Sequence, residues 1–359
     1  MTTDFTFEDQ LAAVIFSVTP TEPSAEVRAW ERLDSLTKPP RSLGRLETLA
    51  AQIACIQGTD HPKVGKKMIL LMAGDHGVVE EGISPFPQDV TWQMVANFTA
   101  QGAAINQMAR SVHADVTVFD VGVARDISDF VGIRHVNVAH GTENMAVGPA
   151  MTREQCAQAV LVGVEAAREA AERGYTLIGT GEMGIGNTTA AAALTAAFTG
   201  AEPEAIVGRG TGLDDAGVAH KAAVVRRALA VNHVADLDAL GVLAAVGGLE
   251  IAALAGIVIG GAEEGVAVVS DGFISGAATL AALELCPMAR EYVLPSHLSV
   301  EPGHRVLLEF IGLEPVLDLD MRLGEGTGAA LAMGIIDSAC CMMSGMATFA
   351  EAGVDGAAE

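Results

Sequence analysis

The stretch YTLIGTGEMGIGNTTAAAALTAAF, residues 175–198, decides the fold. It opens as a short apolar run, crosses a glycine-rich turn, and continues into an Ala-rich segment of high helix propensity. That unit of strand, polar turn and helix recurs. KKMILLMAGDHG (66–77), ADVTVFDVGVA (114–124), GVAVVSDGFISGA (265–277) and EYVLPSHLSVEPGH (291–304) are further apolar runs ending in Gly-rich polar turns. Helical segments separate them: Thr152–Arg173, Asp215–Val231 and Ala277–Leu285. Short strands apolar on both faces, alternating with helices, predict an α/β fold: a Rossmann-like parallel sheet flanked by helices. In such folds ligands sit beyond the carboxyl ends of the strands, where the polar turns fall.

The chain ends read as helical. SAEVRAWERLDSLTKPP offers Ser24 as an N-cap and a Pro-Pro stop. SLGRLETLAAQIACIQG resumes with Leu43, Leu46, Leu49 and Ile53 on one face. With a C-terminal helix over Gly328–Phe349, these segments predict a smaller helical domain built from residues 1–60 and 326–359. Residues 61–325 form the α/β substrate-binding domain.

Composition limits the function classes. The chain has 359 residues, half of them hydrophobic but only 4% aromatic, so Ala, Val, Leu, Ile and Met must fill the core. A net charge of −24 disfavours nucleic acid and anionic membrane as partners. Any phosphate site must then be built locally from backbone N–H groups and a few cations. Five cysteines without a CxxC read as buried thiols in a reducing, cytoplasmic setting. Two long apolar runs, Leu240–Ala262 and Gly328–Ala347, each carry an internal acid (Glu250, Asp337) and read as buried helices rather than membrane spans.

Several constellations carry chemistry. GTGEMG (179–184) fits G-x-G-x-x-G and leaves an NAD(P)-dependent oxidoreductase open as an alternative. A monophosphate site at the same loop fits better. GRGTG (208–212) and GEGTG (324–328) can form anion-binding backbone nests, and Lys221 on the following helix suits a phosphate contact. Asp271, at a strand end in SDG, suits either a ribose hydroxyl or a helix cap. In LDD (213–215), Asp214 or Asp215 reads as a helix cap. GDHG (74–77) invites a metal, but the nine histidines are scattered and supply no ligand set. Glu182 and Glu325 each sit in a glycine-rich loop opening a helix. Burial there would raise a carboxyl toward the range of a general base.

KPPRSLGRLE, AGDHGVVEEGIS, GTENMAVGPAMT, GTGEMGIGNTT, VGRGTGLDD, SHLSVEPGH and RLGEGTGAALAM occur in this order from Lys38 to Ala347. Together they resemble the nicotinate-nucleotide–dimethylbenzimidazole phosphoribosyltransferase family, which assembles the lower ligand of cobalamin. The resemblance implies a homodimer acting on small molecules without a cofactor or metal: nicotinate mononucleotide and 5,6-dimethylbenzimidazole give α-ribazole 5′-phosphate and nicotinate. It puts the catalytic base on Glu325 and a second acid on Glu182. Phosphate and ribose contacts fall on Gly184, Asn187, Gly210, Lys221, Asp271 and Ser299, and Gln93 falls on the aromatic-base pocket. The competing classes are the oxidoreductase and a non-catalytic nucleotide sensor of the same fold.

Overall fold

The run Lys66–Gly74 forms strand β1, and its side chains alternate between two cores. Met68, Leu70 and Met72 enter one; Ile69, Leu71 and Ala73 enter the other. A strand apolar on both faces requires cover on both sides, and helices supply it. The computed structural model describes residues 6–210 and 212–355; residues 1–5, 211 and 356–359, which include Thr211 of GRGTG, lie outside it.

In chain order, β1 is preceded by α1 (Phe7–Ser17), α2 (Pro23–Ser35) and α3 (Arg45–Gln57). It is followed by α4 (Val90–Thr99), α5 (Ala104–Ser111), β2 (Ala114–Gly122), β3 (Ile133–His135), α6 (Arg153–Glu172), β4 (Tyr175–Met183) and α7 (Asn187–Thr199). Next come α8 (Pro203–Ile206), α9 (Asp215–Val231), α10 (Ala239–Val246), α11 (Leu249–Glu263), β5 (Ala267–Ser270) and α12 (Phe273–Leu285). The chain closes with β6 (Val293–Pro295), β7 (His297–Leu298), α13 (Pro302–Ile311), β8 (Leu317–Asp318), α14 (Thr327–Gly345) and α15 (Phe349–Ala352).

All neighbours in the main sheet run parallel, in the order β3-β2-β1-β4-β5-β6. This is the doubly wound Rossmann order, and strand order reverses between β1 and β4. Two features were not expected. The edge strand β3 is three residues long, too short to show a period. The anticipated fifth strand divides: β6 stays in the sheet, while β7 pairs with β8 in a separate two-stranded ribbon.

The ends of the chain meet. α2 packs on α3, and α3 on α14, against the face carrying Ile69 and Leu71. Thr37 N–H donates to the Ala347 carbonyl at 3.1 Å. The first helix departs from that arrangement: α1 lies on the opposite face, against α6 and α11. Ser24 is not the N-cap of α2. The helix starts at Pro23, whose fixed φ and missing N–H suit a first turn, so Ser24 lies inside it. Asp214 does cap α9, its side chain accepting from Gly217 N–H.

The apolar run Leu240–Ala262 is a helix pair, α10 and α11, broken at Gly247 and Gly248. α11 crosses α6 at backbone contact. A Cβ at Gly163 or Gly256 would enter the other helix's carbonyls, and one at Gly260 would sit 2.8 Å from Val164 Cα. Small residues thus do in this core what aromatic bulk does elsewhere. α14 is long and apolar enough to cross a membrane, yet half of its most apolar window is buried in the protein, against α3, α5 and β4. The expectation of buried thiols holds for Cys156, Cys286 and Cys340. Cys55 is half-buried and Cys341, on the outer face of α14, is exposed.

Candidate active site

The G-x-G-x-x-G match does not form a dinucleotide loop. β4 continues to Met183, so Gly179 and Gly181 lie within the strand. Their missing side chains make room for α14 and the loop before it: a Cβ at Gly179 would press on Ile69 and Met333, and one at Gly181 would sit 2.7 Å from the Glu325 carbonyl oxygen. The turn proper is Gly184–Gly186, and α7 begins at Asn187 after Gly186 at φ 98°.

At the end of β4 the carboxylate of Glu182 is buried and doubly held. Asn187 Nδ2 donates to Oε2 at 2.5 Å and the Glu325 backbone N–H donates to Oε1 at 3.4 Å. Burial, then the charges of Asp271 and Glu250, push its pKa up to about 8 against these hydrogen bonds. Glu325 follows on the loop into α14. Gly324, Glu325 and Gly326 all occupy the left-handed region, at φ 83°, 63° and 89°. A non-glycine residue held there stores of order 1–2 kcal/mol. Glu325 is 7% exposed and its Oε2 is buried without a partner. Burial raises its pKa; the Ile105 backbone N–H opposes that shift and Asp271 adds to it. The flanking glycines permit close approach to protein rather than to a ligand: a Cβ at Gly324 would enter the Glu182 carboxylate, and one at Gly326 would lie 2.8 Å from Ile69 Cγ2.

These groups open on a cavity of about 240 Å³. Phe86, Val90, Met94, Met183, Ile185 and Leu323 give it an apolar side; Glu182, Glu325, Asn187, Ser299 and Arg322 give it a polar one. A smaller recess adjoins it, sharing Gly184, Asn187, Thr188 and Gly210 and reaching Lys221. The Lys221 ammonium is buried and donates to Thr188 Oγ1 at 2.6 Å. Burial lowers its pKa to about 8, with Glu301 pulling the other way. Gly210 N–H donates to Glu301 Oε1 at 2.9 Å. The sequence-derived set therefore converges on one place, with two exceptions. Gln93 is exposed on α4, which reaches the cavity through Val90 and Met94. Asp271 does not line the cavity: its oxygens accept from Gly326 N–H (3.1 Å) and Ala329 N–H (2.9 Å), capping α14. That is the helix-cap role, applied to a helix distant in sequence.

The architecture is shared with known proteins. A phosphoribosyltransferase family model matches residues 18–354. Nicotinate-nucleotide–dimethylbenzimidazole phosphoribosyltransferase of Geobacter metallireducens is 51% identical over 345 residues, 96% of this chain and 98% of its own length. The protein of that name from Desulforamulus reducens is equally similar, at 51% over the same shares. The crystal structure of CobT from Thermus thermophilus superposes with a TM-score of 0.90 at 50% identity, covering 93% of this chain and 99% of that one. The chain belongs to the nicotinate-nucleotide–dimethylbenzimidazole phosphoribosyltransferase family. It is a pentosyl-transferring enzyme.

In this phosphoribosyltransferase the GDHG motif forms the floor of the site. His76 Nε2 lies 2.6 Å from Glu250 Oε1, both side chains fully buried. Burial alone would lower the His76 pKa; Glu250 and Asp75 outweigh it, and the net shift is upward. Gly184 rests on this pair, since a Cβ there would be 3.2 Å from Glu250 Oε1 and 3.4 Å from His76 Nε2. On the other side Thr91 Oγ1 accepts from Ile185 N–H at 3.1 Å, and Thr91 in turn bonds Asp75. Among the described residues, no group of three or more His, Cys, Asp or Glu is placed to hold a metal ion. Sequence reasoning missed His297, Glu301, Thr188 and the apolar wall. The first two lie in SHLSVEPGH, where a polar cluster after a strand was the available signal.

Proposed function

We propose that this enzyme transfers the 5-phosphoribosyl group of nicotinate mononucleotide to 5,6-dimethylbenzimidazole, giving α-ribazole 5′-phosphate and nicotinate for the lower ligand of cobalamin. The observation that carries this reading is the unpartnered Oε2 of Glu325, buried beside an apolar wall fit for a flat aromatic base. Glu182 has both oxygens engaged, and Glu301, whose Oε2 is also without a partner among the described residues, is tied to Gly210 N–H at the Lys221 end, so Glu325 is the carboxylate assigned to accept the proton. Lys221, Gly184, Asn187 and Gly210 surround a recess suited to the phosphate, and Ser299 lies on the cavity wall between.

The chemistry needs few groups. One ring nitrogen of the benzimidazole attacks C1′ with its lone pair. The C1′–N bond to the pyridinium breaks, and its electron pair returns to the nicotinate nitrogen. The other ring nitrogen loses its proton to Glu325, so the product base is neutral. Attack opposite the leaving group converts a β-glycosidic bond to α. Nicotinate leaves as a neutral pyridine nitrogen, so no general acid is required. Proton removal contributes about 10²–10⁴-fold, and alignment of the two substrates supplies much of the remainder. Glu325, while ionised, also favours positive charge developing at C1′.

A homodimer in the cytoplasm is part of the same proposal, supported by the family. Gln93 enters the proposal only as the family resemblance implies it; α4 itself reaches the cavity through Val90 and Met94. The test is Glu325→Gln: nicotinate release from the two substrates should fall at least 100-fold while nicotinate mononucleotide still binds. Near-normal turnover would refute the base assignment.

A further inference from the structure

His297 has no part in the roles assigned so far. It is buried at the start of β7, lines the cavity, and its Nε2 has no hydrogen-bond partner among the described residues. Its neighbours fix which nitrogen carries the hydrogen. Ser296 Oγ donates to the Asp271 carbonyl at 2.7 Å, so toward His297 Nδ1, 3.0 Å away, it can only accept. Asp271 Oδ1, 4.0 Å from the same nitrogen, favours the same tautomer. In the neutral ring Nδ1 therefore holds the hydrogen, and Nε2 keeps a bare lone pair.

The ring is held in place. A Cβ at Gly328 would strike Nδ1, and one at Gly272 would sit 3.3 Å from Nε2. Gly328 must be glycine for the imidazole to lie here, and a methyl at Gly272 would crowd it. His304 meets it edge-on, with centroids 6.2 Å apart, while accepting from Ser299 N–H at 2.9 Å. A buried acceptor without a donor is costly unless a ligand supplies one.

The substrates offer few donors. A phosphate dianion and a nicotinate carboxylate only accept, and the single N–H of the benzimidazole is directed to Glu325. The ribose hydroxyls remain. Position agrees: His297 lines the main cavity and not the recess around Lys221. We propose that His297 Nε2 accepts a hydrogen bond from a ribose hydroxyl of the nucleotide substrate and so orients the sugar for displacement at C1′. This rests on the phosphoribosyl-transfer reading of the same site.

A cycle of enzyme and substrate changes tests it. Wild type, His297→Ala and His297→Gln are assayed with nicotinate mononucleotide and its 2′-deoxy and 3′-deoxy analogues. In wild type, one analogue should lose about 10- to 100-fold in kcat/KM relative to the parent. His297→Ala should react equally with that analogue and the parent, and His297→Gln, whose Oε1 can accept, should recover part of the discrimination. Full discrimination retained by His297→Ala against both analogues would overturn the proposal. If the variants do not fold, ¹⁵N NMR of histidine-labelled wild type decides: Nδ1 should be protonated and the Nε2 resonance should shift on adding nicotinate mononucleotide. The reverse tautomer, or an unmoved Nε2 signal, would overturn it. Wild type releasing no nicotinate from the parent nucleotide would instead defeat the transferase reading itself.

Discussion

Gly324→Ala puts the tightest contact of the site under load. Gly324 has φ 83°, and its absent Cβ faces Glu182 Oε1. Alanine in the left-handed region costs about 1–2 kcal/mol. The collision adds to this, because Glu182 is buried and its other oxygen is held by Asn187 at 2.5 Å. Overpacking of this kind adds about 1–3 kcal/mol. The total is then about 2–5 kcal/mol, relieved in part by moving the Glu325 loop. A displacement of about 1 Å in a catalytic group costs on the order of 100-fold in rate. Denaturant unfolding and nicotinate release should therefore both report a defect. Gly345→Ala is the control: it is the last residue of the same helix, and nothing lies within 4 Å of the added methyl. That variant should keep full activity with unchanged or slightly higher stability. Wild-type kcat/KM and an unchanged unfolding midpoint in Gly324→Ala would refute the packing argument.

Lys221 sets an alkaline limit. In its proposed role the ammonium would hold phosphate only when protonated, and burial lowers its pKa to about 8. Thus kcat/KM for nicotinate mononucleotide should be level between the acidic limb set by Glu325 and pH 8, and fall about tenfold per unit above it; kcat should hold to higher pH, because bound phosphate favours the charged amine. Lys221→Met should abolish that limb and raise KM throughout the range. Thr188→Val removes the Lys221 hydrogen-bond acceptor and should raise KM several-fold with kcat little changed, as steady-state kinetics would show. Asp271→Asn replaces a carboxylate that caps two N–H groups, at a cost of about 1–3 kcal/mol in an unfolding titration. It also removes a charge that, after burial, raises Glu325. The acidic limb of the kcat–pH profile should move to lower pH.

The sheet was legible because its central strands carry their signal locally. β1 and β4 are apolar on both faces, a pattern that only a doubly covered sheet satisfies. β3 has three residues and β7 and β8 two each, so they had no period to read. The acids Glu182 and Glu325 were legible from their glycine settings, although the reason for those glycines was not. Gly181 answers to the Glu325 carbonyl and Gly324 to the Glu182 carboxylate, partners distant in sequence, and no local pattern reports such contacts. Asp271 could be read as a helix cap, but not as the cap of α14. Val90, Met94 and Leu323 look like ordinary core residues until the fold brings them around one cavity.

The glycine contacts between α6 and α11 have an effect beyond the core. α11 meets α6 at Gly256 and Gly260 and carries Glu250 in its first turn, where that carboxylate pairs with His76 under the Gly184 turn. One helix thus joins the close α6–α11 crossing to the pair beneath the Gly184 turn. A methyl added at Gly256 or Gly260 would push α11 away from α6 and shift the Glu250 end with it. Packing faults deep in the core should therefore be felt first as weakened substrate affinity, before melting reveals them.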